Sequence, residues 1–560
     1  MQCRIAGALP LLQRITKAIG LVETIDHLVP WDPARCRLSP GTRIEALILN
    51  ILAGRRPLYR VADFYEDTAT ELIFGGDVAS AQLTDDCLAR ALDKLVQCGP
   101  RLVYSAVALR ACLFEGIQRD FLHYDTTSIS LFGDYPDNVP GELQLVRGYS
   151  KDQHPELKQV ILGLLCNRQG IPVWSEARDG NSEDTQANRD AIDLFCAALS
   201  PEQLRQTIYV ADSKLVCGPN LHRMAELQLR FVSRLPESFA AAAVAQRAAL
   251  DGGQWQDLGQ LAKQPRPHAA RYRASEQAAC IDGHDYRLVV IHSDHLASRK
   301  RDTFARALVK KRQALTKEVA ALAAQRFASK PEAETAAGAL LQRADLGFFP
   351  VSLDIQEHRR ALPSGRRGRP RKDEPVRHVR EFRVLGSVGE PAPQHLAAAR
   401  EPLGLFVLIS NLHDHTEFPA RRLLEEYRDQ SAVEQRFAFL KDPVFTDGIF
   451  LHTPSRIEAL AYVLVMACLL YSIFERRVRL RLQATGGQIQ LPGKKWSANP
   501  TGKMLLALVS GLSVGSSGHG PWRLASPPHM IERAAHVARL AGFDLSAIYT
   551  TPSTSPPPEK

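Results

Sequence analysis

A chain of 560 residues is too long to close around one ordinary core, so two or three domains, or one core interrupted by a large insertion, are expected. Hydrophobic residues make up 45% of it, which fits a globular chain rather than a disordered one, and the ten cysteines form no CxxC pair or Cys/His cluster of the kind that marks a zinc site. Lys and Arg number 70 against 61 Asp and Glu, so the surface is expected to attract polyanions, nucleic acid first.

The opening residues, MQCRIAGALPLLQ, lack the charged, apolar and small-residue order of a secretion signal, and a reducing cytoplasm is the expected compartment. From there to about Leu113 apolar residues recur at helical spacing. Ser39-Pro40 opens one helix, Gly54 closes it, and Thr84 followed by Asp85-Asp86 caps another, so residues 1–115 read as an all-helical N-terminal domain. The short helices around Gly54, followed by Arg55, Arg56 and Arg60, fit a helix-turn-helix that grips a DNA end and fit a helical bundle with a basic surface equally well.

At Phe121 the period changes. FLHYDTTSISLF is rich in β-branched and aromatic residues, and KQVILGLLCN, RQG and IPVWSEAR read as a hairpin. A helix near Thr185 to Leu199, the strand TIYVAD, a helix near Asn220 to Leu229 and the strand FVSRL follow. Three antiparallel strands followed by alternating helix and strand is a ribonuclease-H-like order, so residues 116–236 are expected to form the first part of an α/β mixed-sheet core.

After Pro236 the pattern turns irregular. Strands are expected near RYRA, YRLVVIHS, FFPVSLDI and REFRVLGS, with a charged helical stretch from about Lys300 to Arg343, so residues 237–403 read as a long, largely β insertion. Core character resumes with GLFVLIS and a helix from Leu423, in a segment 404–482 that completes the core. The apolar run Ala459 to Phe474 is shorter than the roughly 20 residues that cross a bilayer and reads as a buried core helix, with no membrane partner implied. Residues 483–560 are Gly/Pro-rich, then briefly helical, and end in TTPSTSPPPEK, which is expected to be disordered.

Two carboxylates stand out because they sit where burial is wanted. Asp125 interrupts the strand HYDTTS and Asp212 ends TIYVAD, and a lone strand Asp is ordinarily a cap or an ion-pair partner. On adjacent strands of such a sheet the two would repel each other unless a cation sat between them, and hard oxygen donors imply Mg²⁺ or Mn²⁺. In LLEEYRDQSAVEQRFAFLKDP, a helix ended by Pro443, the residues Tyr427, Gln430, Glu434 and Lys441 are spaced by 3, 4 and 7. One continuous helix would carry all four on a single stripe, either a solvated charged face or a face for metal and phosphate.

The spacing Tyr427-x2-Gln430-x3-Glu434-x6-Lys441 resembles the Y-x2-R-x3-E-x6-K signature of bacterial insertion-sequence transposases of the insertion-sequence-four superfamily, with Gln430 at the Arg position. YDTTS around Asp125, GYSKDQHPELKQVILGL, VADSKLV around Asp212, FVSRLP and RIEALAYVLVMACLLYSIFERRVR look like one branch of it, over residues 121 to 480. The resemblance implies a ribonuclease-H-like core whose sheet is interrupted by a long, largely β insertion between the second Asp and the Glu. It further implies that Asp125, Asp212 and Glu434 hold two Mg²⁺ or Mn²⁺ ions for cleavage and joining of DNA, an endonuclease and strand-transfer chemistry. Tyr427 and Lys441 would touch phosphates at the cleaved end, while Gln430 offers hydrogen bonds without the charge of Arg. Double-stranded DNA, as transposon terminal inverted repeats and target, and a second protomer in a paired-end homodimer are the implied partners, in a cytoplasmic protein associated with the nucleoid.

Weaker signals accompany these. RRGRPRK, with Arg366, Arg367, Arg369 and Arg371, resembles the core of minor-groove AT-hooks, though a solvated basic loop in the insertion is the preferred reading. Trp255 could stack on a flipped base or simply pack, and Lys151, Asp152 and His154 read as a turn. Two competing functions stay open: a ribonuclease-H-like nuclease that cuts without joining, and a transposase-derived DNA-binding protein without catalysis.

Overall fold

The computed structural model describes residues 2–54, 56–75, 78–135, 140–150, 154–261, 267–342, 347–361, 378–442, 451, 453–517 and 521–550. Pro443, Lys151, Asp152, the RRGRPRK segment with Arg366, Arg367, Arg369 and Arg371, and the final TTPSTSPPPEK lie at least mostly outside them, as does Arg55. The chain is mixed α/β and folds as two compact units, one of Met1–Pro236, Cys280–Tyr286 and Ile409–Lys560, the other of Glu237–Ala279 and Arg287–Leu408.

The first unit opens with a strand, β1 (Gln2–Ile5), and then becomes helical. The N-terminal punctuation acts as its chemistry requires: the Ser39 hydroxyl accepts from the Thr42 amide at 3.1 Å, and Thr84 accepts from the Cys87 amide at 3.3 Å. After the helix Pro40–Leu49 the backbone widens into a single looser turn, Asn50–Gly54. Gly54 lets the Phe64 ring close in, since a Cβ there would lie 2.6 Å from it. Beyond it stand only a turn, Leu58–Arg60, and a six-residue helix, Val61–Glu66, with Tyr65 buried.

The sheet of this unit is built from β2 (Phe121–Leu131), β3 (Lys158–Asn167), β4 (Pro172–Arg178), β5 (Ile208–Ala211) and β6 (Arg230–Leu235) in the order β4-β3-β2-β5-β6. β2, β3 and β4 are antiparallel neighbours, and β5 and β6 run parallel to β2. The helices Asp184–Ala197 and Gly218–Glu226 connect them, each within a few residues of its expected place. The Asn411 side chain holds the start of β6, accepting from the Phe231 amide at 2.9 Å and donating to the Leu229 carbonyl at 2.9 Å.

The helix Pro454–Thr485 is the spine of the unit. It packs on the N-terminal helices Leu9–Ala18, Pro40–Leu49, Asp85–Cys98 and Pro100–Glu115, on β4, and on the C-terminal helices Gly502–Val509 and Pro528–Leu540. At 32 residues it exceeds the 16-residue apolar run read from sequence and is long and apolar enough to cross a membrane, yet 89% of its most apolar window is buried inside the chain. This shared spine is why residues 1–115 and 483–550 join one core cluster with the sheet instead of standing apart as the domains expected from sequence. β1 closes the same unit by pairing with a short strand at Ser513–Ser516.

The second unit runs over Glu237–Ala279 and Arg287–Leu408. It contains β7 (Gln256–Gln260), β8 (Arg271–Ile281) and β9 (His284–Ser293), followed by the helices Asp294–Ala324 and Lys330–Leu341. Sequence reading expected one charged helical stretch here. A two-stranded ribbon of β10 (Val351–Ala361) and β11 (His378–Val388) comes next, then a short helix, Pro393–Arg400, and β12 (Leu405–Ser410) leads back to the first unit.

Candidate functional site

In the first unit β5 and β6 end beside the middle of β2, all three running parallel. The register pairs Tyr124 with Ala211 and Ala211 with Ser233, so the next residue on each strand, Asp125, Asp212 and Arg234, forms a row across β2, β5 and β6. Asp212 lies one residue past β5, but its backbone is still extended (φ −69°, ψ −178°), and neighbouring strands lie about 4.8 Å apart. Asp125 and Asp212 are half-buried.

Alternation fixes which face they share. Tyr124 stacks on Tyr209 with ring centroids 5.9 Å apart and donates to Glu176 Oε1 at 2.7 Å, so these residues occupy one face of the sheet. His123, Asp125 and Asp212 fall on the other. A cavity of about 480 Å³ lined by Leu122, Trp174, Phe195 and Cys112 belongs to the Tyr124 face and is separate from the row.

Each aspartate also has a local structural task. Asp125 Oδ1 accepts from the Thr126 amide at 2.7 Å, and Asp212 Oδ1 accepts from the Lys214 amide at 2.9 Å, capping the turn Ser213–Leu215. The Ser233 hydroxyl donates to the carbonyls of Ala211 at 3.0 Å and Asp212 at 2.8 Å, locking β5 to β6 where the row begins.

The face bearing the aspartates is covered by the helices Ala420–Arg428 and Ser431–Leu440, which pack on β2, β3, β5 and β6. These correct the single continuous helix expected from sequence. At Asp429-Gln430 the hydrogen bonding tightens, with the Ala432 amide bonded to the Asp429 carbonyl and the Val433 amide to the Gln430 carbonyl, three residues back rather than four. The four signature residues therefore do not share one regular stripe. Tyr427 ends the first helix, half-buried. Gln430 is in the turn, Glu434 is exposed in the first turn of the second helix, and Lys441 caps its far end.

Tyr427 is the signature residue that joins the row. Burial pushes its phenol pKa up, Arg234 opposes the shift and Asp212 adds to it, so the hydroxyl lies within electrostatic reach of both. Among the described residues, however, no group of three or more His, Cys, Asp or Glu is gathered closely enough to hold a metal ion, so Glu434 does not complete a three-donor cluster with Asp125 and Asp212. The donor chemistry of the two adjacent aspartates suits a hard divalent cation, and Glu434 stands on the helix packed over β2, the strand of Asp125.

The second helix is anchored from below. Arg436, buried, donates to the Gly170 carbonyl at 2.7 Å and pairs with buried Glu475 at 2.7 Å, and Glu475 also takes Arg479 at 2.9 Å and the Gly502 amide at 2.8 Å. The first helix has its own buried pair, Glu426 with Arg168 at 2.6 Å, where burial pushes the Glu426 pKa up to about 7.

Sequence reasoning missed two residues here. Arg234 stands at a strand end inside FVSRLP and would have been found by aligning the ends of the three parallel strands. His123, two residues before Asp125, is wholly buried with neither ring nitrogen hydrogen-bonded among the described residues, and burial, with Arg168 adding, pushes its pKa down to about 3. No sequence signal distinguishes it from any strand residue. In the second unit Trp255 is half-buried, with Arg273 over its ring at 5.2 Å from the centroid, a packed setting. His154 is exposed beside Glu156.

Residues 2–109 match a family described as a domain of unknown function (DUF4277). No curated protein matches the chain. Among solved structures, a piggyBac transposase synaptic complex with hairpin DNA aligns over 95% of this chain and 81% of that one, at 9% identity and a TM-score of 0.36, a likeness too distant to carry an argument about this chain.

Proposed function

We propose that the chain is a metal-dependent DNA transposase of the DDE type, which cleaves phosphodiester bonds at transposon ends and joins the 3′ ends to target DNA. The observation that carries this reading is the register of β2, β5 and β6, which sets two acidic residues from distant parts of the sequence on one face of adjacent parallel strands, Asp125 within β2 and Asp212 just past the end of β5. The strand order β4-β3-β2-β5-β6, with three antiparallel strands followed by two parallel ones, supports a ribonuclease-H-like core. The resemblance of the Tyr427 to Lys441 segment supports the finer assignment to insertion-sequence transposases.

On this reading Asp125, Asp212 and Glu434 hold two Mg²⁺ or Mn²⁺ ions, which when bound supply the activation of the attacking oxygen and the neutralisation of the leaving one. The residues of the chain divide the remaining work. Tyr427 orients a phosphate by a directional hydrogen bond, and Lys441 adds charge. Arg234, in the row with the aspartates and beside Tyr427, supplies the cation that Gln430 cannot, and a guanidinium grips a phosphate through two parallel bonds. Glu434, on the helix packed against β2, would supply the third carboxylate to such ions.

The exposed setting of Glu434 favours one competing reading, a DNA-binding protein without cleavage. The test is Mg²⁺-dependent cleavage and strand transfer on a labelled fragment carrying the element's own end, with wild type, Asp212→Asn and Glu434→Gln. The proposal expects cutting and joining by wild type, and variants that bind DNA yet do neither, with losses on the order of a thousand-fold. Cutting without joining would point to a nuclease, and binding without cutting by wild type to the silent protein.

A further inference from the structure

The β10–β11 ribbon is long for what supports it. Its strands pair through eleven rungs, from Val351 opposite Val388 to Ala361 opposite His378, a span of about 35 Å. Only the proximal half has a core. There Leu353, Ile355, Phe382 and Val384 pack with Phe327, Leu322, Ala333 and Ala337, on the side of the helices Asp294–Ala324 and Lys330–Leu341.

Past Phe382 the apolar support stops, and every residue from Gln356 to Ala361 and from His378 to Arg380 is exposed. The next rung outward on the supported face sets Arg359 directly opposite Arg380, each side chain 71% exposed. Like charges on one rung repel, and the shared Glu357, at 3.9 and 3.7 Å, is a single anion between two cations. Arg360 stands on the opposite face, so the distal half carries three arginines against Glu357 and Glu381. Glu381 is itself shared between Arg360 and Arg326, at 2.9 and 3.5 Å.

A surface that spends ladder stability on opposed cations and presents no exposed aromatic anchor is built for a polyanion rather than for a protein partner. A two-stranded ribbon also has the width that the major groove of duplex DNA admits. We infer that the distal half of the β10–β11 ribbon, centred on Arg359 and Arg380, enters the major groove of double-stranded DNA and holds its backbone phosphates. This rests on the DNA-acting role proposed for the chain and adds to it a binding element far in sequence from the candidate site.

The test is fluorescence anisotropy of the full chain on a 30-bp duplex of random sequence, in EDTA, across a potassium chloride series. Arg359→Ser/Arg380→Ser is compared with wild type and with Arg359→Lys/Arg380→Lys, and thermal melting confirms that all three fold. Two lost phosphate contacts lower the slope of log K against log salt by about 2 and weaken binding roughly 10- to 100-fold near 0.1 M salt, while the Lys pair keeps the slope. An unchanged slope and affinity in the Ser pair overturns the inference, as does displacement of the duplex by polyglutamate at equal charge, which would mark an acidic protein as the partner. A wild type that binds with the full slope but does not cut leaves the ribbon standing and removes the transposase.

Discussion

Glu45 has nowhere to put its charge. It is buried in the helix Pro40–Leu49, the Thr16 hydroxyl donates to it, and Glu23 and Asp26 lie near enough to add repulsion, so that burial first and these neighbours second push its pKa up to about 7. The folded state thus holds a proton that the unfolded chain has released. Stability from this group is full below about pH 4.5 and is lost as pH rises through 7, by an amount on the order of 3 kcal/mol. Glu45→Gln keeps an acceptor for Thr16 and removes the titration. It should flatten the fall in urea midpoint between pH 5 and 8 and exceed wild type at pH 8; a variant that tracks wild type across that range would show Glu45 to be ionised at no cost. Single residues were legible in the sequence where they broke a pattern, as Asp125 and Asp212 broke apolar strands. Glu45, Glu426 and His123 break none, because their burial is decided by elements far along the chain.

The strands were legible because β-branched and apolar runs bounded by turn residues leave little choice. The break in the signature helix was not, since neither Gly nor Pro marks it. Its cause is tertiary: Leu423 and Leu424 are buried before the turn and Val433, Phe437 and Leu440 after it, the second group held down by Arg436. That anchor gives the element its own prediction. Arg436→Ala leaves Glu475 buried with only Arg479 and the Gly502 amide, and should cost about 3 kcal/mol in a denaturant titration. It should also slow any cleavage more than it weakens DNA binding, because Glu434 rides on the same helix. Pairing it with Glu475→Gln should restore much of the stability; no restoration would mean that Arg436 acts by packing and not by charge.

For the molecule as a whole, the sequence did not show the union of the two ends. The helices before Leu113 and the segments after Gln483 each look self-sufficient in amphipathic pattern, and nothing local reveals that both bury their apolar faces on the helix Pro454–Thr485. A fragment ending at residue 408 tests that union directly. It retains both aspartates but lacks the spine, so it should show neither cooperative unfolding nor protease resistance in residues 2–236, whereas the second unit, Glu237–Ala279 with Arg287–Leu408, should stay resistant. Equal resistance in both regions would mean that the N-terminal half folds without its distant partner.

The interruption of the first unit between Pro236 and Ile409 also sets a schedule for synthesis. At a ribosomal rate of roughly 5 to 20 residues per second, the aspartate-bearing strands wait tens of seconds for the chain that covers them. During that interval the start of β6 lacks the Asn411 side chain that bonds to it, and the N-terminal helices have no Pro454–Thr485 to cover them. Until its last quarter emerges, the nascent chain is most exposed to aggregation and proteolysis. Frameshifts and early stops downstream of residue 236 should accordingly yield insoluble, rapidly cleared products rather than DNA-binding fragments that compete with the full-length protein.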